Sequence, residues 1–119
     1  MEFYGCKVCN QVVLKLIETE SKMTCCEEEM SKLTCQVAPE EDEHRPIIRK
    51  IGNFVTITVN HPMLEVHRIL SLFLETNRGF SIVNLEDQVE AIGHFILAKD
   101  EEIKNAYVYC NVHELWSTF

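Results

Sequence analysis

Five of the six cysteines in this 119-residue chain fall within residues 1–36: Cys6-Lys-Val-Cys9, the adjacent pair Cys25-Cys26, and Cys35. A stretch of that length carries too little apolar surface to fold by burial alone. Below about 40 residues a chain generally needs a cross-link, a metal or a partner. Disulfides would serve in an exported chain. The opening Met-Glu-Phe-Tyr-Gly, however, lacks the basic and apolar regions of a signal peptide, which points to the cytoplasm. Neighbouring cysteines also make a poor disulfide with each other. The cysteines therefore read as metal ligands. Two sulfurs of Cys6-x-x-Cys9 chelate from one tight turn, and Cys25 and Cys26 complete a four-thiolate tetrahedron suited to zinc or a single iron. A structural zinc knuckle satisfies the same spacing. Cys35 lies outside the pattern and reads as a packed free thiol.

Residues 37–44, Val-Ala-Pro-Glu-Glu-Asp-Glu-His, form an acidic linker. It separates a small N-terminal unit, 1–36, from a larger one, 37–119. In the larger unit Asn53–Val59 alternates, with Val55, Ile57 and Val59 on one face and Phe54, Thr56 and Thr58 on the other. Gly52-Asn53 marks a turn. Further strands are expected at Val66–Glu75, Phe80–Leu85, Ala91–Ala98 and Tyr107–Val112, with two short ones, Tyr4–Val8 and Gln11–Ile17, in the first unit. No segment has a helical period. The fold class is all-β: a small metal knuckle followed by a compact antiparallel sandwich. The net charge of −8 excludes nucleic acid and anionic membrane as main partners, since both require clustered Lys and Arg. The apolar runs are too short to span a bilayer.

The larger unit also carries a second constellation: His44-Arg-Pro46, His61-Pro-Met63 with His67, and Cys110-Asn-Val-His113. Four imidazoles and one thiolate exceed the usual zinc count and suit a five-ligand centre with one position left open. A thiolate opposite that position donates electron density, as an axial cysteine does in some haem enzymes. Two centres of different chemistry in so short a chain point to redox work. His94, inside Ala-Ile-Gly-His-Phe-Ile-Leu, has no partner motif and reads as structural.

Taken in order, Cys-x-x-Cys, Cys-Cys, His-x-Pro, His-Pro-Met-x-x-x-His and Cys-Asn-x-His resemble desulfoferrodoxin, the two-iron class of superoxide reductases, over nearly the whole chain. The resemblance implies a desulforedoxin-like N-terminal domain whose rubredoxin-type iron is held by Cys6, Cys9, Cys25 and Cys26, with zinc as a possible substitute. It implies an immunoglobulin-like β-sandwich whose catalytic iron has His44, His61, His67 and His113 as equatorial ligands and Cys110 as the axial one. The implied reaction is one-electron reduction of superoxide to hydrogen peroxide, with re-reduction by a rubredoxin-like donor. The implied assembly is a homodimer.

Two places depart from the pattern of the family. Its Glu-Lys-His is here Asp42-Glu43-His44, so an acid replaces a lysine expected to attract superoxide. At about 6 Å and an effective dielectric of about 20, one unit charge is worth about 3 kcal/mol before screening. Arg45 is the candidate to compensate. In an extended segment residues 43 and 45 share a side, so Arg45 would either supply the missing charge or pair with Glu43. The other departure is Glu27-Glu28-Glu29 after the paired cysteines, where Gly and Pro are usual; it is expected to alter the turn and favour the oxidised first site. Two rivals follow: an electron-transfer or peroxide-handling relative with slowed superoxide capture, and a zinc-loaded structural or interaction module.

Overall fold

The computed structural model describes residues 2–119, which divide into two compact units, 2–34 and 35–119. The described residues contain strands and turns and no helix.

The first unit holds β1 (Glu2–Gly5), β2 (Val12–Lys15), β3 (Thr24–Cys25), β4 (Glu28–Glu29) and β5 (Ser31–Lys32). A three-stranded sheet runs β2-β1-β5, and β3 pairs with β4 as a hairpin. Among its described residues, Phe3, Cys6 and Met30 are the buried apolar side chains, which is the thin core expected of so short a segment. The first two strands are shorter than the sequence suggests. Cys6 N–H donates to Gln11 O and Asn10 N–H to Cys6 O, both at 2.9 Å, closing residues 6–11 into a knuckle. The hairpin turn is Cys26-Glu27, and both residues have positive φ (53° and 65°). That is the type I′ geometry that glycine and asparagine normally supply. Only Glu27 of the three glutamates sits in the turn; Glu28 and Glu29 form β4.

The second unit holds β6 (Gln36–Val37), β7 (Ile47–Ile51), β8 (Phe54–Thr58), β9 (Ile69–Thr76), β10 (Phe80–Asn84), β11 (Ile92–Ile96), β12 (Ile103–Cys110) and β13 (Glu114–Ser117). One sheet runs β10-β9-β12-β13-β6 and the other β11-β8-β7. Their facing sides bury Val55, Ile57, Leu72, Leu74, Phe95, Ala106 and Val108 in one core, the arrangement of an immunoglobulin-like sandwich. The alternation of Asn53–Val59 holds: Val55, Ile57 and Val59 are buried and the intervening residues are not. Gly52, at φ +59°, opens the two-residue turn between β7 and β8, where a side chain would be strained.

Several boundaries differ from expectation. The strand placed at Val66–Glu75 begins only at Ile69, because Asn111 takes up the backbone before it. Its side-chain oxygen accepts from Arg68 N–H and its amide donates to Val66 O. The strand placed at Tyr107–Val112 ends at Cys110 and reaches back to Ile103. Strands β3 to β7 and β13 were not expected, and Val37, placed in the linker, lies in β6. Mostly exposed Ile-Ile-Arg-Lys-Ile shows no alternation, and β6 joins the sheet parallel to β13, a pairing distant in sequence.

Candidate metal centres

Three loops at one end of the sandwich carry the histidine–cysteine cluster. His44 sits in the turn before β7, where Arg45 N–H donates to Asp42 O. His61 and His67 lie in the loop between β8 and β9, tightened by Leu64 N–H to His67 O at 3.0 Å. Cys110 ends β12, and residues 111–113 form a three-residue hairpin loop into β13. Glu114, at φ 66°, takes the left-handed position that closes such a loop. Asn111 ties the two latter loops together through its bonds to Arg68 and Val66.

The structure brings His44, His61, His67, Cys110 and His113 together, with one ligand atom from each lying within 4.8 Å of all the others. The four imidazoles form a closed ring. Neighbouring centroids are 4.9 Å apart for His44–His61, 4.5 Å for His61–His67, 5.0 Å for His67–His113 and 5.0 Å for His44–His113. Successive planes are turned by 52° to 81°, like paddles about an axis. The fully buried Cys110 Sγ lies 3.5 Å from His61 Nε2 and 3.8 Å from His113 Nδ1, and it accepts His113 N–H at 3.4 Å.

The nitrogens are already sorted into inward and outward roles. His44 Nδ1 lies 2.8 Å from Asp42 Oδ1, and His61 Nδ1 lies 2.6 Å from Pro62 O. Each acceptor holds a proton on Nδ1 and leaves Nε2 as the lone-pair nitrogen. Burial holds the His61 imidazole below its usual range, opposed by the Pro62 carbonyl and reinforced by His44 and His67. A neutral ring is the ligating form. His44 Nε2 and His67 Nε2 are buried with no hydrogen-bond partner. A buried nitrogen left in that state costs stability, and a metal bond removes the cost. The residues present thus fit a metal at this point.

Trp116 packs on His44 with centroids 4.5 Å apart and planes 5° from parallel, and its Nε1–H donates to His113 O at 2.9 Å. One side chain therefore steadies the His44 ring and the backbone that carries His113. Trp116 did not stand out in the sequence, and Asn111 did so only as a motif member with no role assigned. The available signals were an aromatic three residues after His113 and an asparagine directly after Cys110.

The thiol cluster of the first unit gathers Cys6, Cys9, Cys25 and Cys26, again within 4.8 Å of one another. Cys9 and Cys25 sulfurs are 3.6 Å apart, and Cys25 and Cys26 sulfurs 3.9 Å. The left-handed turn at Cys26-Glu27 turns two adjacent side chains to one point. Backbone N–H groups of Cys9 and Val8 bring the Cys6 thiol down to about 7, while its bonds to Cys6 and Cys9 push Cys25 up to about 12. Four thiols so close cannot all ionise without a cation among them, which is the chemistry of a metal thiolate site.

Other expected residues fall elsewhere. Cys35 lies outside both clusters and is exposed rather than packed. His94 is exposed on β11, its Nδ1 3.3 Å from Thr56 Oγ1. Glu43 and His44 lie in a turn, so the extended segment that would align Glu43 with Arg45 is not present. Among the described residues no ion pair joins the two. Arg45 Nη1 instead donates to Ala38 O at 2.7 Å and Thr118 O at 3.1 Å. No helix of the described residues is long and apolar enough to cross a membrane.

Comparison with known proteins agrees with this architecture. A desulfoferrodoxin homologue of Archaeoglobus fulgidus is 28% identical over 122 residues, covering 99% of this chain and 96% of the relative. Desulfoferrodoxin of Syntrophotalea carbinolica is 29% identical, covering 99% and 95%. The crystal structure of the superoxide reductase from Treponema pallidum superposes with a TM-score of 0.83 at 26% identity, covering 98% of this chain and 95% of that one. The profile of the family named Desulfoferrodoxin matches residues 36–119, which include every member of the histidine–cysteine cluster, and by that match the chain belongs to the desulfoferrodoxin family.

Proposed function

We propose that the chain is a superoxide reductase, taking superoxide to hydrogen peroxide by one electron at an iron held by His44, His61, His67, Cys110 and His113. The observation that carries this reading is the closed ring of four imidazoles beside a buried cysteine sulfur, with two Nε2 atoms left without a partner. Iron, when bound, would supply the one-electron couple. Cys110, buried from water, would hold the iron through its sulfur and lend it electron density. Asp42 and Pro62 hold protons on the outward nitrogens, so that Nε2 of His44 and His61 points inward. Solvent reaches the ring at His113, its exposed member, which is where protons enter.

Residues 1–36 serve as a desulforedoxin-like unit with an iron held by four cysteines, zinc being a possible substitute, and residues 37–119 as the catalytic domain. A rubredoxin-like donor re-reduces the protein, which works as a homodimer in the cytoplasm. Exposed Glu43 sets a negative charge beside His44 and slows capture of the anion, while Arg45 is committed to backbone carbonyls. That commitment also supports a second reading, an electron-transfer or peroxide-handling relative. Anaerobic pulse radiolysis of the iron-loaded chain with product analysis tests both. A reductase yields one hydrogen peroxide per superoxide with no oxygen released. Half that yield, with oxygen, or no fast reaction with superoxide, would overturn the assignment.

A further inference from the structure

Asp42 contacts His44 twice. Oδ1 accepts the His44 backbone N–H at 2.7 Å and lies 2.8 Å from His44 Nδ1. The first contact is an Asx turn, in which a short carboxylate bonds the backbone two residues on. It fixes the carboxylate beside the ring that it also meets. The second contact pairs a carboxylate oxygen with the imidazole at 2.8 Å. On its flat face the same ring is stacked by Trp116. The ring can neither rotate nor exchange its tautomer without breaking one of these contacts. Its other nitrogen, Nε2, is buried and has no partner in the protein.

From this geometry we infer that Asp42 is a positioning residue for the histidine–cysteine centre: it fixes the His44 tautomer and aims Nε2 inward, and its charge strengthens that nitrogen as a donor. The inference rests on the metal site proposed above. Carboxylates that orient ligating imidazoles through the outer nitrogen raise ligand basicity and stabilise the more highly charged metal state. The one-carbon side chain matters. A glutamate carboxylate sits one methylene further out and cannot close the same turn onto His44 N–H. Asp42 is thereby spent on the ring and held back from the centre of the cluster.

The test uses the full chain and two variants. Asp42→Asn keeps a carbonyl acceptor and removes the charge; Asp42→Ala removes both. Three readings are taken: the reduction potential of each iron site, cobalt(II) affinity of the histidine–cysteine site by competition, and the His44 tautomer by nitrogen NMR on zinc-loaded protein. With Asp42→Asn the ferric-to-ferrous ratio at the second site should fall about tenfold at fixed potential, a rise of about 59 mV for one electron, with the thiolate site unmoved. With Asp42→Ala metal affinity should fall about 10–100-fold. In the parent chain His44 should carry its proton on Nδ1. An unchanged potential in Asp42→Asn, or a His44 proton on Nε2 in the parent chain, overturns the inference while leaving the metal site standing. A parent chain that binds no metal at this cluster overturns both. Asp42→Asn carries the decision if Asp42→Ala fails to fold.

Discussion

Replacing Arg45 by alanine separates two roles for the cation that directly follows His44. Arg45 Nη1 donates to Ala38 O and Thr118 O, at 2.7 and 3.1 Å. Ala38 is fully buried and its own N–H donates to Ser117 O, so Arg45 Nη1 clamps the residue after β6 to the residue after β13. A hydrogen bond from a charged donor is worth about 1.5–3 kcal/mol, and the carbonyls stranded by its loss become unsatisfied. One nitrogen serves both acceptors, so the contributions are not independent, and a total of about 2–3 kcal/mol is expected. For a unit of this size that corresponds to a fall in Tm of about 10–20 °C. Arg45→Lys, with a single compact donor, should recover part of it. Urea and thermal unfolding measure the stability term. Pulse radiolysis of the same proteins, at a temperature where each stays folded, measures capture of superoxide. The expected result is a large loss of stability with a second-order rate within about twofold of the parent. A rate that falls tenfold while stability is untouched would refute the reasoning and return Arg45 to the role of substrate attractor.

Further outcomes follow from other sites. Glu43→Lys should raise the second-order rate with superoxide about tenfold at low ionic strength, with the gain shrinking as salt is added, because exposed charges steer an anion through a screened field; stopped-flow or pulse radiolysis across a salt series reads it. Stripping the thiolate cluster with a chelator should melt residues 2–34 while 35–119 keep their amide protection, since the described residues of the first unit bury little apolar surface beyond Phe3, Cys6 and Met30; hydrogen exchange distinguishes the two. Burial and then the hydrogen bond to Glu75 push the Tyr107 phenol up to about 12 from its ordinary 10, so its stabilising contribution is complete below pH 10 and is lost as pH rises towards 12. Tyr107→Phe should therefore flatten the alkaline fall in stability over that window, as followed by denaturant midpoints.

Much of this could be read from residues alone where one short stretch carries the information. The alternation at 53–59 names its own buried face, and Cys-x-x-Cys or Cys-x-x-His puts two ligands on one turn. What the sequence hid depends on pairings made at a distance. Strand β6 is two residues long and joins the sheet only because β13 lies beside it. Strand β7 is an edge with little burial, so it has no hydrophobic period to detect. Arg45 looked like a free charge because its acceptors, Ala38 O and Thr118 O, are carbonyls seven and 73 residues away. The hairpin at Cys26-Glu27 breaks the usual residue preference, since neither residue is one that left-handed backbone favours. Gathering of the cysteines compensates there for a local cost that propensity alone would forbid.

Trp116 is the single tryptophan of the chain, and it lies flat on His44 with its indole N–H fastened to the His113 carbonyl. The protein thus contains one indole fluorophore, and that fluorophore touches the cluster. Its emission reads local events at this centre with no background from other indoles. Loading, oxidation and ring displacement each become a change in quenching that is visible in whole, unlabelled protein.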